Sequence, residues 1–186
     1  PIKAKARLCI GGHEDPDLPL GEMRTDAPTV TRLSLLCFLQ LCASFGWVPK
    51  SGDIEAAFLN GEEAPRGLYM HQPKEGLPGV GLGCLVEVIK GVFGLATSPR
   101  LWWCKMARQI LQMEIVDTHG ATVQFTQHRL DPCMFLLRDS KGDLKALLST
   151  HVDDLKLAHD SSYTKLEQQF LDTFPLGSWD ELPYVY

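Results

Sequence analysis

Leu147-Leu-Ser-Thr-His-Val-Asp-Asp-Leu-Lys-Leu-Ala158 is the stretch on which the reading of this chain turns. An apolar run, two adjacent carboxylates and a second, partly apolar run predict a β-hairpin with Asp153 and Asp154 at its tip. Adjacent aspartates on a strand point to opposite faces, but at a tight turn both can converge on one ion. Asp is also a common turn former, so the pair taken alone describes a solvated turn. A third carboxylate, Asp53, lies far upstream in Ser51-Gly-Asp-Ile-Glu-Ala-Ala-Phe-Leu-Asn-Gly61. Carboxylates brought to one place by separate elements are what two magnesium ions and a triphosphate require.

Composition sets the frame. The 186 residues are 45% hydrophobic and 22% charged, which suits one soluble domain with a real core. The net charge of -5 advertises no polyanion partner, so any nucleic acid must be held by a local basic stripe. No apolar run reaches transmembrane length and no signal peptide opens the chain, so no membrane association and an intracellular location are expected. Cys9, Cys37, Cys42, Cys84, Cys104 and Cys133 form no Cys-x-x-Cys pair and are read as reduced, mostly core residues. The chain opens at Pro1 and stops at Tyr186 in mid-pattern, as a piece of something longer would.

Taken in order, Lys3 to Ile10 alternates basic with small or apolar residues, a strand presenting Lys3, Lys5 and Arg7 to one side. Such a strand either holds phosphates or is an edge defended by charge. Gly11 to Pro28 reads as a long loop. Thr29 to Phe45 is a helix with Val30, Leu33, Cys37 and Leu41 on its packing face, Thr29 or Thr31 as cap, and Gly46 as stop. Trp47 to Ile54 is a strand that delivers Asp53 to its end. Short strands are expected at 68–72 and 84–89. Gly79-Val-Gly-Leu-Gly83 between them precedes a strand instead of following one, which rules out a dinucleotide fingerprint.

A second helix starts at Ser98 as cap, with Pro99 at its first position and a core stripe of Trp102, Met106, Ile110 and Met113. Arg100, Lys105 and Arg108 on its other faces read either as solvated charges, the favoured reading, or as cations tracking a template backbone. The segment from His119 to His128 is polar and carries no clear element, and its histidines with Cys133 match no zinc spacing. Asp131 to Arg138 and the run from Leu144 form a hairpin about Asp139-Ser-Lys-Gly142. Ser162 to Phe174 is a third helix with Tyr163, Leu166, Phe170 and Phe174 inward. The expected class is α+β, an antiparallel sheet with helices on one face.

Several blocks, in collinear order, resemble one family. They are Lys5-Ala-Arg-Leu8, Ala27-Pro-Thr-Val-Thr-Arg32, Asp53-Ile-Glu-Ala-Ala-Phe-Leu-Asn-Gly61 and Leu68-Tyr-Met-His-Gln-Pro73. They continue with Phe93-Gly-Leu-Ala-Thr-Ser-Pro-Arg-Leu-Trp102, Asp131-Pro-Cys-Met-Phe135 and Val152-Asp-Asp-Leu155. Across nearly its whole length the chain resembles the reverse transcriptase domain of copia-type long-terminal-repeat retrotransposons. The resemblance implies a fingers-and-palm polymerase fold over residues 1–186, without its thumb, in a longer Pol polyprotein.

It implies an RNA-directed DNA polymerase using Mg2+, or Mn2+ in its place. Asp53, Asp153 and Asp154 would be the catalytic carboxylates, and the same three with the backbone of Ile54 the metal ligands. Phe58 would sit beneath the incoming sugar and reject a 2′-hydroxyl. Phe93, Gly94 and Pro99 belong to the block that packs under the nascent base pair, and His151 stands beside the primer end. Lys5 and Arg7 would grip the triphosphate, Arg7 with the forked guanidinium. Implied partners are an RNA or DNA template-primer, dNTPs, and the thumb, RNase H and integrase parts of the polyprotein, in a cytoplasmic particle.

The sequence departs from the family at His151, where Tyr or Phe is usual, and at Lys156, where an aliphatic residue is usual. Those departures define the alternative, a decayed or domesticated relic that at most binds partners.

Overall fold

A computed structural model describes residues 8–21 and 23–182. Its α-helices, among the described residues, are α1 (Arg32–Phe45), α2 (Ser98–Gln112) and α3 (Leu166–Thr173). The strands before α2 are β1 (Lys50–Asp53), β2 (Tyr69–His71) and β3 (Leu85–Glu87). After it come β4 (Ile115–Val116), β5 (Thr122–Val123), β6 (Phe125–Gln127), β7 (Met134–Arg138), β8 (Leu144–His151), β9 (Asp154–His159) and β10 (Asp180–Glu181). The chain divides into two compact units, Pro1–Ala27 with Ala56–Lys105, and Pro28–Glu55 with Met106–Tyr186.

The first unit holds the antiparallel β2–β3 pair. Cys9 bridges Phe93 in parallel, with the Ile10 N–H donating to the Phe93 carbonyl at 2.9 Å. Gly94 has φ +92°, and a Cβ on it would run into the Ile10 carbonyl; one on Gly12 would run into Gly94. These glycines let two backbones touch where a side chain would force them apart. Arg66 pairs with Asp15 and, at 2.7 Å, with Asp17.

The second unit is built on an antiparallel sheet in the order β10-β1-β9-β8-β7-β6. Directly opposed residues share a face, so the register sorts the sheet into two sides. Leu147 and Ala158 face one way and cluster with Phe38 and Cys42 of α1, Trp47 and Met134. Lys50, His159 and Phe125 face the other way. From that side Glu167 of α3 meets Lys50 at 2.7 Å and His159 at 3.2 Å, while Phe170 packs edge-on against Phe125. Helices therefore cover both faces, where one covered face was expected. The reason is legible in the strands: Ala146-Leu147-Leu148 is buried without alternation, the mark of a strand enclosed on both sides.

Several local expectations shift in detail. In α1 the buried stripe is Phe38 and Cys42 with Leu39 and Leu41 partly buried, whereas Leu33 and Cys37 lie exposed. The cap is Thr31, whose Oγ1 accepts from Ser34 N–H at 3.1 Å, and Gly46 ends the helix at φ +67°. Ser98 is inside α2 and donates its hydroxyl to the Val92 carbonyl at 2.8 Å instead of capping. Trp102, Met106, Ile110 and Met113 are all buried, as the stripe predicts. Arg100 is mostly enclosed and paired with Asp26, not solvated. The six cysteines are thiols, as expected, but only Cys42 and Cys133 are buried. The polar 119–128 segment supplies β5 and the sheet edge β6, and α3 starts at Leu166, four residues later than its pattern suggests.

Buried aspartates tie the loops. Asp131 accepts from Thr31 N–H at 2.9 Å and Cys133 N–H at 3.0 Å, joining the start of α1 to the approach to β7. Burial alone would raise its carboxyl; the hydrogen bonds outweigh burial and hold it below the usual range. Asp117 takes backbone N–H groups of His119, Ala121 and Ser140, clasping the β4–β5 turn to the β7–β8 turn.

Glu167 generates a pH-dependent prediction. Burial pushes its carboxyl up, but hydrogen bonds from Lys50 and His159 bring it below the ordinary 4.5. A folded-state value below the unfolded one contributes stability above about pH 4.5 that is lost as pH falls further. Lys50→Met should thus cost about 1–2 kcal/mol at pH 7. The gap in urea midpoint should shrink between pH 7 and pH 3.5; an unchanged gap would refute the linkage.

Candidate active site

β1 and β9 bring the distant carboxylates together. In their antiparallel ladder Lys50 opposes Leu157, Gly52 opposes Leu155, and Asp53 opposes Asp154. Asp53 and Asp154 therefore project from the same face, as neighbours across one strand gap. On the far side of β9, His151 opposes Asp154, and Thr29 bridges His151 in turn. The row Thr29–His151–Asp154–Asp53 crosses the end of the face that α1 covers further along. Asp53 and His151 are exposed and Asp153 and Asp154 half-exposed, so solvent reaches the row.

Backbone bonds hold β1 on both sides of Asp53. The Ile54 N–H donates to the Asp153 carbonyl at 2.9 Å, which joins the end of β1 to the hairpin tip. On the other side Gly177 N–H donates to the Asp53 carbonyl at 2.8 Å and Glu55 N–H to Pro175 at 2.8 Å. Sequence patterning marks Pro175 and Gly177 only as a helix stop; their role as a clasp on the carboxylate strand carries no residue-type signal. Gly52 does: a Cβ there would lie 2.6 Å from both the Ser178 carbonyl and the Trp179 ring.

The hairpin closes through two residues, Val152 and Asp153, between His151 and Asp154. Val152 has φ +58°, and Asp153 does not share the positive sign. That is the pattern of a type II′ turn, in which glycine usually takes the first central position. A β-branched residue held there is strained by roughly 1–3 kcal/mol. The strain sits beside the carboxylate pair.

Lys156 joins the same face. It is two residues beyond Asp154, flanked by Ser149 on β8 and Ser51 on β1. The sequence left its direction open; the register turns it to the carboxylate side.

A hard divalent cation asks for oxygen donors, and the Asp53–Asp154 pair supplies them in type and in register. Among the described residues, however, no three His, Cys, Asp or Glu side chains stand close enough to hold a metal ion. The facing pair, with Asp153 next in the turn, therefore fits as the nucleus of a cation site, and the third carboxylate is not gathered in.

The other expected contacts fall in the first unit or outside the described residues. Phe58 and Phe93 meet edge to face, with centroids 5.2 Å apart. Gly94 gives close approach to the chain's own Ile10. Pro99 lies half-buried in the first turn of α2. Lys5 and Arg7 lie outside the described residues, as does most of the strand expected there.

Comparison with known proteins places these residues in context. The chain is 29% identical over 156 residues to the retrovirus-related Pol polyprotein from transposon TNT 1-94 of Nicotiana tabacum, covering 83% of this chain. It is 26% identical over 134 residues, 72% of its length, to the corresponding polyproteins from transposons RE1 and RE2 of Arabidopsis thaliana. The matched region spans 11% of the tobacco polyprotein and 9% of each Arabidopsis one. No protein-family model matches, and neither does any solved structure. The similarities support a retrotransposon Pol origin for the chain.

Two stability outcomes follow from the geometry of the row. Like charges directly opposed across a ladder oppose folding, so Asp154→Asn should raise the melting temperature in EDTA, by about 1–3 °C. Val152→Gly should relieve the turn and raise it also, the stability gain being about 1 kcal/mol net of the added backbone freedom. Both are read by thermal denaturation; a fall in either variant contradicts the placement of that residue.

Proposed function

We propose that this chain is the fingers-and-palm region of a copia-type reverse transcriptase, an RNA-directed DNA polymerase within a Pol polyprotein. The observation that carries the reading is the β1–β9 register, which faces Asp53 with Asp154 at the end of one open sheet face. In this reading the six-stranded sheet is the palm and the first unit supplies the fingers. Asp53, Asp153 and Asp154, with the Ile54 carbonyl, hold the divalent ions. Bound Mg2+, or Mn2+ in its place, supplies the charge that acidifies a primer 3′-hydroxyl and neutralises a triphosphate.

The remaining roles belong to protein groups. His151 lies beside the primer end. Phe58 walls off the sugar 2′ position, and Phe93, Gly94 and Pro99 support the nascent base pair. Lys5 and Arg7 take the triphosphate. The partners are an RNA or DNA template-primer, dNTPs, and the thumb, RNase H and integrase regions, in a cytoplasmic particle. A second reading, a relic without chemistry, is favoured by one feature: Lys156 puts a cation on the carboxylate face, where no three-ligand group forms among the described residues.

Primer extension on an RNA template separates the two, using this chain in place of the matched region of the tobacco polyprotein. The polymerase reading expects extension that needs Mg2+ or Mn2+ and falls at least about a hundredfold in Asp53→Asn or Asp154→Asn. It also expects millimolar Mn2+ to raise the melting temperature of the unaltered chain and not of Asp154→Asn. Neither extension nor metal stabilisation would leave the relic reading standing. Phe58→Val should admit ribonucleotides; unchanged discrimination in an active enzyme would remove Phe58 from the sugar site.

A further inference from the structure

The first unit contains a cavity of about 320 Å³, at the small end of ligand-binding pockets. Its walls are apolar, formed chiefly by Met23, Leu68, Leu95 and Leu101, and Thr97 gives the one hydroxyl among the lining residues. Arg24, Arg66 and Arg100 also line it. Three guanidiniums around an apolar hollow are not explained by packing. Nor does the proposed polymerase chemistry use them.

The arginines differ in what they already hold. Arg66 faces two carboxylates, Asp15 and Asp17, and is fully matched. Arg24 and Arg100 share one. Arg24 forks onto Asp26, Nε to Oδ1 at 3.1 Å and Nη2 to Oδ2 at 2.9 Å. Arg100 reaches the same Oδ2 and the Asp26 carbonyl, each at 3.2 Å, with its guanidinium over the Trp103 ring at 5.2 Å. Among the described residues, two cations against one carboxylate leave an excess positive charge at the rim. The carboxylate itself displays what the two guanidiniums recognise, a planar or tetrahedral oxyanion. Asp26 and Arg24 have side chains 60% and 69% exposed, so their pair is screened and readily exchanged for another anion.

We propose that this cavity is a binding site for a small amphipathic anion, one phosphate or carboxylate on an apolar or aromatic body. The body enters between Leu68, Leu95 and Leu101. The anion takes the position between Arg24 and Arg100, displacing the Asp26 carboxylate, which acts as an internal competitor. Every group involved lies in the first unit, and none belongs to the carboxylate row, so the site stands or falls independently of the polymerase reading.

The test is titration of the full chain with phenyl phosphate by calorimetry, beside inorganic phosphate, benzyl alcohol and benzoate. Saturable binding of phenyl phosphate is expected, with inorganic phosphate and benzyl alcohol each at least about tenfold weaker. Benzoate against phenyl phosphate ranks the two headgroups. Asp26→Asn should tighten binding about threefold by removing the competitor, and Arg24→Gln, at an exposed position, should weaken it at least as much. Cys104 lines the cavity and is half-exposed, so saturating phenyl phosphate should slow its alkylation by iodoacetamide in the unaltered chain, whatever the variants do. Equal affinity for inorganic phosphate, no tightening in a folded Asp26→Asn, or no protection of Cys104 would each overturn the proposal.

Discussion

One backbone ladder governs the carboxylate end of this molecule: the antiparallel pairing of β1 with β9. Because strand side chains alternate, a slip of a single residue would turn Asp53 away from Asp154 and take Leu155 and Leu157 out of the packing they now have. Burying each leucine contributes about 2 kcal/mol, whereas setting two carboxylates face to face costs about 0.2–1 kcal/mol. The leucines win, and the carboxylates are held together by a register they do not favour. Gly52, admitting Ser178 and Trp179 over the strand, and Lys50, reaching Glu167, fix the same register from the opposite face.

Along the face that carries the carboxylates, successive pairs of residues run from the core to solvent. Leu147 and Ala158 lie in the core with α1, Ser149 and Lys156 come next, and His151, Asp154 and Asp53 end the series toward solvent. The face is thus a packed surface at one end and a charged, solvent-reached one at the other, on the same strands. Rigidity at the core end is what gives the charged end a defined geometry, including a valine held in a backbone region it avoids.

Much of this was legible in the residues. The hairpin from Leu147 to Ala158, the carboxylate ending of β1 and the stripe of α2 follow from periodicity and turn chemistry. What escaped reading was decided by tertiary context. Leu33 and Cys37 are spaced as well for burial as Phe38 and Cys42, and only the position of the sheet selects between them. Covering of both sheet faces was written in the unalternated Ala146-Leu147-Leu148 run, but such a run also suits a buried helix. The Pro175–Gly177 clasp depends on backbone groups, which every residue type supplies alike. The pairing of Arg24 and Arg100 through Asp26 joins positions some seventy residues apart, beyond any local pattern.

The wide separation of β1 and β9 has a temporal side. Roughly a hundred residues lie between Asp53 and its partner, so at ribosomal speeds of about 5–20 residues per second the first strand waits on the order of ten seconds for its mate. During that interval its hydrogen-bonding groups have neither β9 nor β10 to pair with, and the glycine at its centre offers no side chain to shield them. A nascent chain in that state is open to pairing with other chains, and the late closing of one non-local contact completes the sheet and the carboxylate row together.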